Sequence, residues 1–164
     1  LEALSAILAK PSAQQPHEFV PLLREYGYGL GDPSAGRIAW EAGITFATNE
    51  PAAVVEAAHR SGAVCLLAHP GEGDGFVTFD VPLLDQFCQE APIDGLEVYH
   101  PKNTPAQTEM YREYARQHGL LVSAGSDSHR PEKPPIPYLA KCCRDLLERL
   151  GIRIEQQASG SVEK

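Results

Sequence analysis

The stretch that decides the fold is LLVSAGSDSH, residues 120–129. Its apolar start is typical of a buried strand, and Asp127 and His129 follow that strand two residues apart. Alternate residues of an extended chain point to the same side, so this carboxylate and this imidazole can converge on one cation. The small residues around them leave room for an ion. The spacing therefore predicts a metal site, against the alternative of a turn-forming Asp and a surface His.

Two upstream segments repeat this arrangement. AVCLLAHP, residues 63–70, brings His69 to the end of an apolar strand, and GLEVYHP, residues 95–101, does the same for His100. His100 follows His69 by 31 residues and precedes Asp127 by 27, which is about the length of a βα unit. Right-handed crossovers would place all three at the same rim of a parallel sheet, so we expect one shared site.

The predicted fold class is α/β. The three strands are almost continuously apolar, as expected when helices cover both faces of a parallel sheet. Residues that open and close helices predict four of them between and after the strands. They run from Pro51 to Gly62, from Asp80 onward, from Thr104 to Gly119 and over 137–150.

The predicted domain organisation has three parts. Residues 1–48 are helical at first, including an amphipathic stretch over 17–26, and then irregular through the glycine-rich run 27–36. Residues 49–155 contain the βα units, and 156–164 form a polar, frayed tail. Because the chain begins at Leu1 inside an apparent helix, without an initiating Met, we expect a fragment of a longer polypeptide.

The charge and composition limit the classes of partner that the chain is expected to bind. The net charge of -8 argues against broad binding to nucleic acid or to an anionic membrane, but it leaves a nucleotide-sized or phosphate-bearing ligand open. No segment reaches the roughly 18 apolar residues of a membrane span, and no signal-peptide pattern is present. The four cysteines form no Cys-x-x-Cys motif, and the vicinal pair Cys142 and Cys143 is a poor structural disulfide. We expect a soluble protein of the cytoplasm.

For the other polar residues near the strand ends, more than one role is consistent with the sequence. His100 is a candidate metal ligand, phosphate contact or hydrogen-bonding pocket residue, and Glu97 is a second candidate or a structural acceptor. His59 and His118 are predicted to be structural or exposed. Four basic residues are candidates for phosphate contacts or are solvated loop charges: Arg37, Lys102, Arg130 and Lys133. No nucleophile elbow and no dinucleotide fingerprint is present.

The three motifs together, LLAHPG at 66–71, GLEVY at 95–99 and GSDSH at 125–129, resemble the polymerase and histidinol phosphatase (PHP) family. The chain looks most like the branch that acts on nucleotides or RNA ends. The resemblance implies a distorted (βα)7 barrel with two or three divalent metal ions, manganese, zinc or iron. It also implies that His69, Asp127 and His129 are metal ligands, with His100 in the pocket and Lys102 or Arg130 on a phosphate.

The chain also departs from the family pattern. The His-x-His of the first strand, an Asp-His pair and a metal-bridging Glu are absent before His69, so the chain resembles the C-terminal half of a PHP protein, with 1–48 as a helical insertion. The implied activity is hydrolysis of phosphate esters, of small molecules or of nucleotide or oligonucleotide ends, by metal-activated water. With an incomplete ligand set, this chain alone is expected to be inactive, and a cut barrel would expose a strand edge for a homodimer.

Two alternatives stay open at this point. An amidohydrolase barrel also uses His and Asp from late strands, but its Asp needs no His two residues later, so Asp127 with His129 favours the PHP interpretation. The other alternative is a non-catalytic, PHP-like structural or binding module.

Overall fold

A computed structural model describes residues 2–11, 14–44, 49–71, 77–128 and 131–154. In these residues the chain is an α/β protein with three strands and seven α-helices. It forms two compact units, Leu1–Val54 with Glu72–Thr78, and Val55–Gly71 with Phe79–Lys164. The tail predicted at 156–164 lies outside the described residues. No helix in the described ranges is long and apolar enough to cross a membrane.

The second unit contains a parallel sheet in the order β1-β2-β3, as the βα pattern predicted. The strands are β1, Leu66–Leu67, β2, Gly95–Tyr99, and β3, Leu121–Ala124. The middle strand has close neighbours on both sides, because a Cβ at Gly95 would lie 2.3 Å from the Leu121 carbonyl oxygen of β3 and 2.7 Å from Leu66 Cδ2 of β1. Only glycine fits at this position.

The first strand is shorter than predicted. The expectation of a strand over 63–68 is wrong, since only Leu66 and Leu67 pair with β2. Cys65 is held in a different way: its N–H donates to the Asp94 carboxylate at 2.6 Å rather than to a strand carbonyl. A side chain therefore replaces the first ladder bond of β1.

Three helices accompany the strands, and their predicted starts are confirmed. They are α4, Pro51–Arg60, α5, Val81–Glu90, and α6, Pro105–His118. The Asp80 side chain caps α5 by accepting from the Leu83 N–H at 3.0 Å. A capping box of Thr104 and Gln107 opens α6, and the left-handed Gly119 closes it.

The helix predicted over 137–150 is wrong in its first half. The chain forms a short 3-10 helix, Ala140–Cys143, and then α7, Arg144–Arg149. Proline disfavours helical backbone in the residue before it, and prolines 134, 135 and 137 keep this segment extended. The Ile136 N–H instead donates to the Ser126 hydroxyl at 2.7 Å, which ties the segment to the end of β3.

The core of the second unit lies between one face of the sheet and the helices. Leu96 and Val98, alternate residues of β2, are fully buried, whereas Glu97 and Tyr99 between and after them are half-buried. Each fully buried aliphatic side chain contributes about 1.5–3 kcal/mol of transfer free energy. The buried members of this cluster are Val55, Leu84, Ala91, Ile93, Leu96, Val98, Tyr111, Tyr114 and Ala115.

The first unit is helical, and one of its helices, which follows the glycine-rich run, is not predicted from the sequence. Its helices are α1, Glu2–Leu8, α2, Gln15–Glu25, and α3, Ala35–Glu41. The expectation that irregular structure follows residue 26 is therefore wrong for α3. The Ser34 hydroxyl caps this helix by accepting from the Arg37 N–H at 3.2 Å.

Candidate active site at the carboxyl edge of the sheet

The first candidate residue, His69, lies just after β1 in an unusual conformation. Its φ is 33°, in the left-handed region that side chains rarely adopt. Its N–H donates to Glu97 Oε2 at 2.7 Å, and the carbonyl of the buried Pro70 accepts from the Phe79 N–H at 2.9 Å. These two bonds hold the turn in place. Strain held by surrounding bonds is characteristic of functional sites.

Asp127 lies after β3 and shares this feature. Its φ is 47°, so it is the second non-glycine residue with positive φ among the described residues. Its carbonyl oxygen accepts from Lys133 Nζ at 3.0 Å. The Ser128 hydroxyl donates to the Lys133 carbonyl, so the segment after residue 130 folds back over the end of β3.

His100, directly after β2, is buried between the other two strand ends. Its ring centroid lies 5.8 Å from that of His69, and its Nε2 lies 4.0 Å from Asp127 Oδ2. Nδ1 accepts from the Lys102 N–H at 3.3 Å, while the buried Nε2 has no hydrogen-bond partner in the part of the chain that the structure describes. Burial lowers the pKa of His100, against the opposing effect of the Glu97 and Asp127 carboxylates. The neutral imidazole is therefore favoured.

A second buried polar atom without a partner belongs to Asn103, which the sequence did not single out. Its Oδ1 has no hydrogen-bond partner within the described ranges, although its Nδ2 donates to the Val98 carbonyl at 3.0 Å. A Cβ at Gly71 would lie 2.3 Å from this Oδ1, so the loop after His69 approaches Asn103 closely. The only signal in the sequence was a polar residue in the turn between β2 and α6.

Glu97 is the residue of β2 that connects the strand ends. Besides the bond from His69, its Oε1 lies where a Cβ at Gly125 would be, 1.7 Å from that position. The ladder between β2 and β3 is irregular between Glu97 and Tyr99, as at a β-bulge. Bulges are common beside active sites because they redirect side chains.

The structure brings three of the predicted site residues, His69, His100 and Asp127, to the carboxyl edge of the sheet. Lys102 is exposed and offers its backbone N–H to His100. His129 and Arg130 lie outside the described residues.

Lys133 lies at this edge beside Asp127, whereas Arg37, His59 and His118 have partners elsewhere. Arg37 pairs with Asp32 and Glu41 on the surface of the first unit. His59 bonds Asp94, and three side chains of α5 and α6 contact one another: Asp85, Tyr114 and His118. These contacts agree with the structural interpretation of both histidines.

The fit of this edge to a metal ion is partial. Zinc, iron and manganese bind imidazole nitrogen and carboxylate oxygen. Near Asp127, the buried Nε2 of His100 is a polar atom without a hydrogen-bond partner in the described ranges. Among the described residues, however, no three His, Cys, Asp or Glu side chains lie close enough to hold one ion. A complete ligand set would need residues outside the described ranges, of which His129 is the predicted one.

Comparison with known proteins finds chains of similar sequence and structure, although no family model matches. The 5'-3' exoribonuclease Rnm of Salmonella typhimurium is 34% identical over 77 residues, and that of Escherichia coli is 32% identical over the same length. Each alignment covers 47% of this chain and 26% of the relative, so the match spans about a quarter of the relatives' length.

A solved structure is similar over more of the chain. It is a Bifidobacterium adolescentis protein provisionally assigned as a metal-dependent phosphoesterase, 26% identical with a TM-score of 0.55. The superposition covers 82% of this chain and 49% of that protein.

Proposed function

We propose that this chain carries part of the active site of a metal-dependent phosphoester hydrolase. The relatives support this, because they confirm its resemblance to the PHP phosphoesterases. The observation that carries the proposal is the meeting of His69, His100 and Asp127 at one edge of the sheet, with a buried His100 nitrogen that has no hydrogen-bond partner among the described residues. Sites of parallel α/β proteins are built at this edge.

In this proposal His69, Asp127 and His129 hold divalent metal ions, manganese, zinc or iron, with two or three ions in the complete site. Such ions supply a nucleophilic water at neutral pH and neutralise charge on a phosphoryl group. The fold proposed around them is the later part of a (βα)7 barrel over 49–155, preceded by the helical segment 1–48 and followed by the tail.

The proposed substrate is a phosphorylated nucleotide or an oligonucleotide end. The two exoribonucleases support this class, and the net charge of -8 favours recognition at a local site over broad nucleic-acid binding. His100, Lys102 and Arg130 are proposed to contact the phosphate. The neutral imidazole of His100, with Nδ1 accepting from Lys102, carries its hydrogen on Nε2 and can donate it to a phosphoryl oxygen.

The 164-residue chain alone is proposed to be inactive, because its predicted ligands are fewer than the family's. The cytoplasmic location and a homodimer through a strand edge also stay predictions.

The test is hydrolysis by the complete polypeptide that carries these residues. With manganese present, we expect turnover of adenosine 5'-monophosphate or of a 5'-phosphorylated oligoribonucleotide, and loss of turnover on chelation. Asp127→Asn should lower kcat/KM by at least about 100-fold, since it removes a charged ligand. The matched control is Asp145→Asn, an exposed acid in the first turn of α7, which should leave turnover unchanged.

Three outcomes would contradict the proposal. Unchanged turnover in Asp127→Asn would make Asp127 structural. Hydrolysis of a cyclic amide instead of a phosphoester would favour the amidohydrolase alternative, and a polypeptide without bound metal or turnover would favour a non-catalytic module.

A further inference from the structure

The Glu97 carboxylate lies between the ends of the two outer strands. Glu97 is the third residue of the middle strand, and its two oxygens face in different directions. Oε2 accepts the His69 N–H, after β1, at 2.7 Å. Oε1 fills the space where Gly125, after β3, would carry a Cβ.

The bond to His69 acts on a backbone that is unfavourable without support. A left-handed conformation at a histidine persists only where surrounding contacts require it. Hydrogen bonds to a charged acceptor are shorter and stronger than neutral ones, so the Glu97 carboxylate is well suited to hold this turn. The orientation of the His69 imidazole depends on that backbone.

The contact with Gly125 acts on the opposite strand end. A Cβ at this position would overlap Glu97 Oε1 and come within 2.9 Å of its carboxyl carbon. Either the carboxylate or the β3 end would have to move, and Asp127 lies only two residues further on. Glycine is therefore needed at 125 for space, to admit the side chain of the neighbouring strand.

We propose that Glu97 is a positioning residue, whose carboxylate holds the His69 turn and packs against Gly125 so that the His69 imidazole and the Asp127 carboxylate keep a fixed separation. The role of this separation in metal binding rests on the proposed function. The coupling of the two strand ends does not, so the two claims can fail separately.

The coupling is tested without metal by a double-mutant cycle. In Glu97→Ala the His69 N–H loses its acceptor, and its NMR hydrogen-exchange rate should rise about tenfold or more with a clear shift of the amide resonance. Gly125→Ala should produce the same change from the other strand, by displacing the carboxylate. In the double variant the methyl group added at position 125 occupies the vacated space, so the effect should not exceed that of Glu97→Ala.

Manganese alone is the probe for the functional consequence. If the chain binds Mn²⁺, each single variant should raise its dissociation constant by about tenfold, as loss of a supporting hydrogen bond does. Glu97→Gln keeps one acceptor for the His69 N–H and should restore the amide resonance and most of the affinity. A purely structural role would change stability without this rescue pattern.

Two controls and three contrary results complete the test. Glu132→Gln, at an exposed carboxylate, and Gly31→Ala, at an exposed glycine with open space around it, should leave the His69 amide unchanged.

Additive effects in the double variant, or an unchanged His69 amide in folded Glu97→Ala, would overturn the proposal. Loss of Mn²⁺ binding in Glu97→Gln with an unchanged amide would make Glu97 a ligand instead. Absence of Mn²⁺ binding and of phosphoester hydrolysis in the complete polypeptide without substitutions would refute the proposed function, and the amide cycle would still decide the coupling.

Discussion

The two edges of the sheet are built in opposite ways. At the amino edge the Asp94 carboxylate forms hydrogen bonds with two neighbours. Its Oδ2 accepts the Cys65 N–H at 2.6 Å and bonds His59 Nε2 at 2.9 Å. Its own backbone donates to the Cys65 carbonyl and accepts from the Leu121 N–H, each at 2.8 Å. One aspartate thus ties the starts of all three strands together.

At the carboxyl edge, by contrast, the described residues include buried polar atoms without hydrogen-bond partners and backbone in a strained conformation. Among the described residues, His100 Nε2 and Asn103 Oδ1 are buried without hydrogen-bond partners, and His69 and Asp127 have positive φ. Buried polar atoms without hydrogen bonds lower the stability of a fold, and so do non-glycine residues with left-handed backbone conformation. The contrast indicates that the amino edge stabilises the fold, whereas the carboxyl edge, where the proposed site lies, lowers its stability. In α/β barrels the same division separates stability from catalysis.

The largest stability effect is expected from Asp94→Ala at the amino edge. This change leaves the Cys65 N–H without its charged acceptor and should lower the free energy of unfolding by about 2 kcal/mol, measured by urea denaturation. Because His59 is 40% exposed, its ion pair adds little to that figure. Glu132→Ala, on the surface, is the control and should be neutral. A loss as small as that of the control would show that the amino edge does not stabilise the fold.

The same aspartate predicts a sensitivity to acid. Partial burial acts to raise the pKa of Asp94, but the hydrogen bonds from Cys65 and His59 outweigh it and the net pKa lies below its ordinary value. A depressed pKa contributes stability that is present above the ordinary value near 4 and is lost as the pH falls through the folded value. Urea denaturation in steps from about pH 5 to about pH 2 should show a decline that Asp94→Asn reduces. A variant with the same acid profile would mean that other carboxyls carry the effect.

Local signals were sufficient where the element was self-contained. The strand Gly95–Tyr99 and the helix Pro105–His118 follow from a short apolar run, a Thr-Pro start and a closing glycine. The helix Ala35–Glu41 was missed because its cap, Ser34, stands at the end of a glycine-rich run that also predicts turns. The α-helix predicted over 137–150 begins only at Arg144, because prolines 134, 135 and 137 favour extended backbone in the segment before it.

The site was predictable in its edge but not in its internal contacts. The βα spacing placed His69, His100 and Asp127 at the ends of parallel strands. The contact of Glu97 with Gly125 depends on which residues pair across β2 and β3, Glu97 with Ser123, and on the irregularity that follows. Register between distant strands is a tertiary property that a single sequence does not encode locally.

The smallest effect, and the sharpest test of the carboxyl edge, is expected at Asp127. At an ordinary position glycine is less stable than alanine by about 0.5–1 kcal/mol, because it has more freedom to lose on folding. At a left-handed position the order reverses, since the Cβ of alanine is strained and glycine has none. Asp127→Gly should therefore exceed Asp127→Ala in free energy of unfolding by about 0.5–1 kcal/mol, measured by urea denaturation, although both lack the carboxylate. If alanine were the more stable of the two, the backbone of Asp127 would be unstrained, and the contrast between the two edges would rest on the His69 turn and the unpaired side-chain atoms.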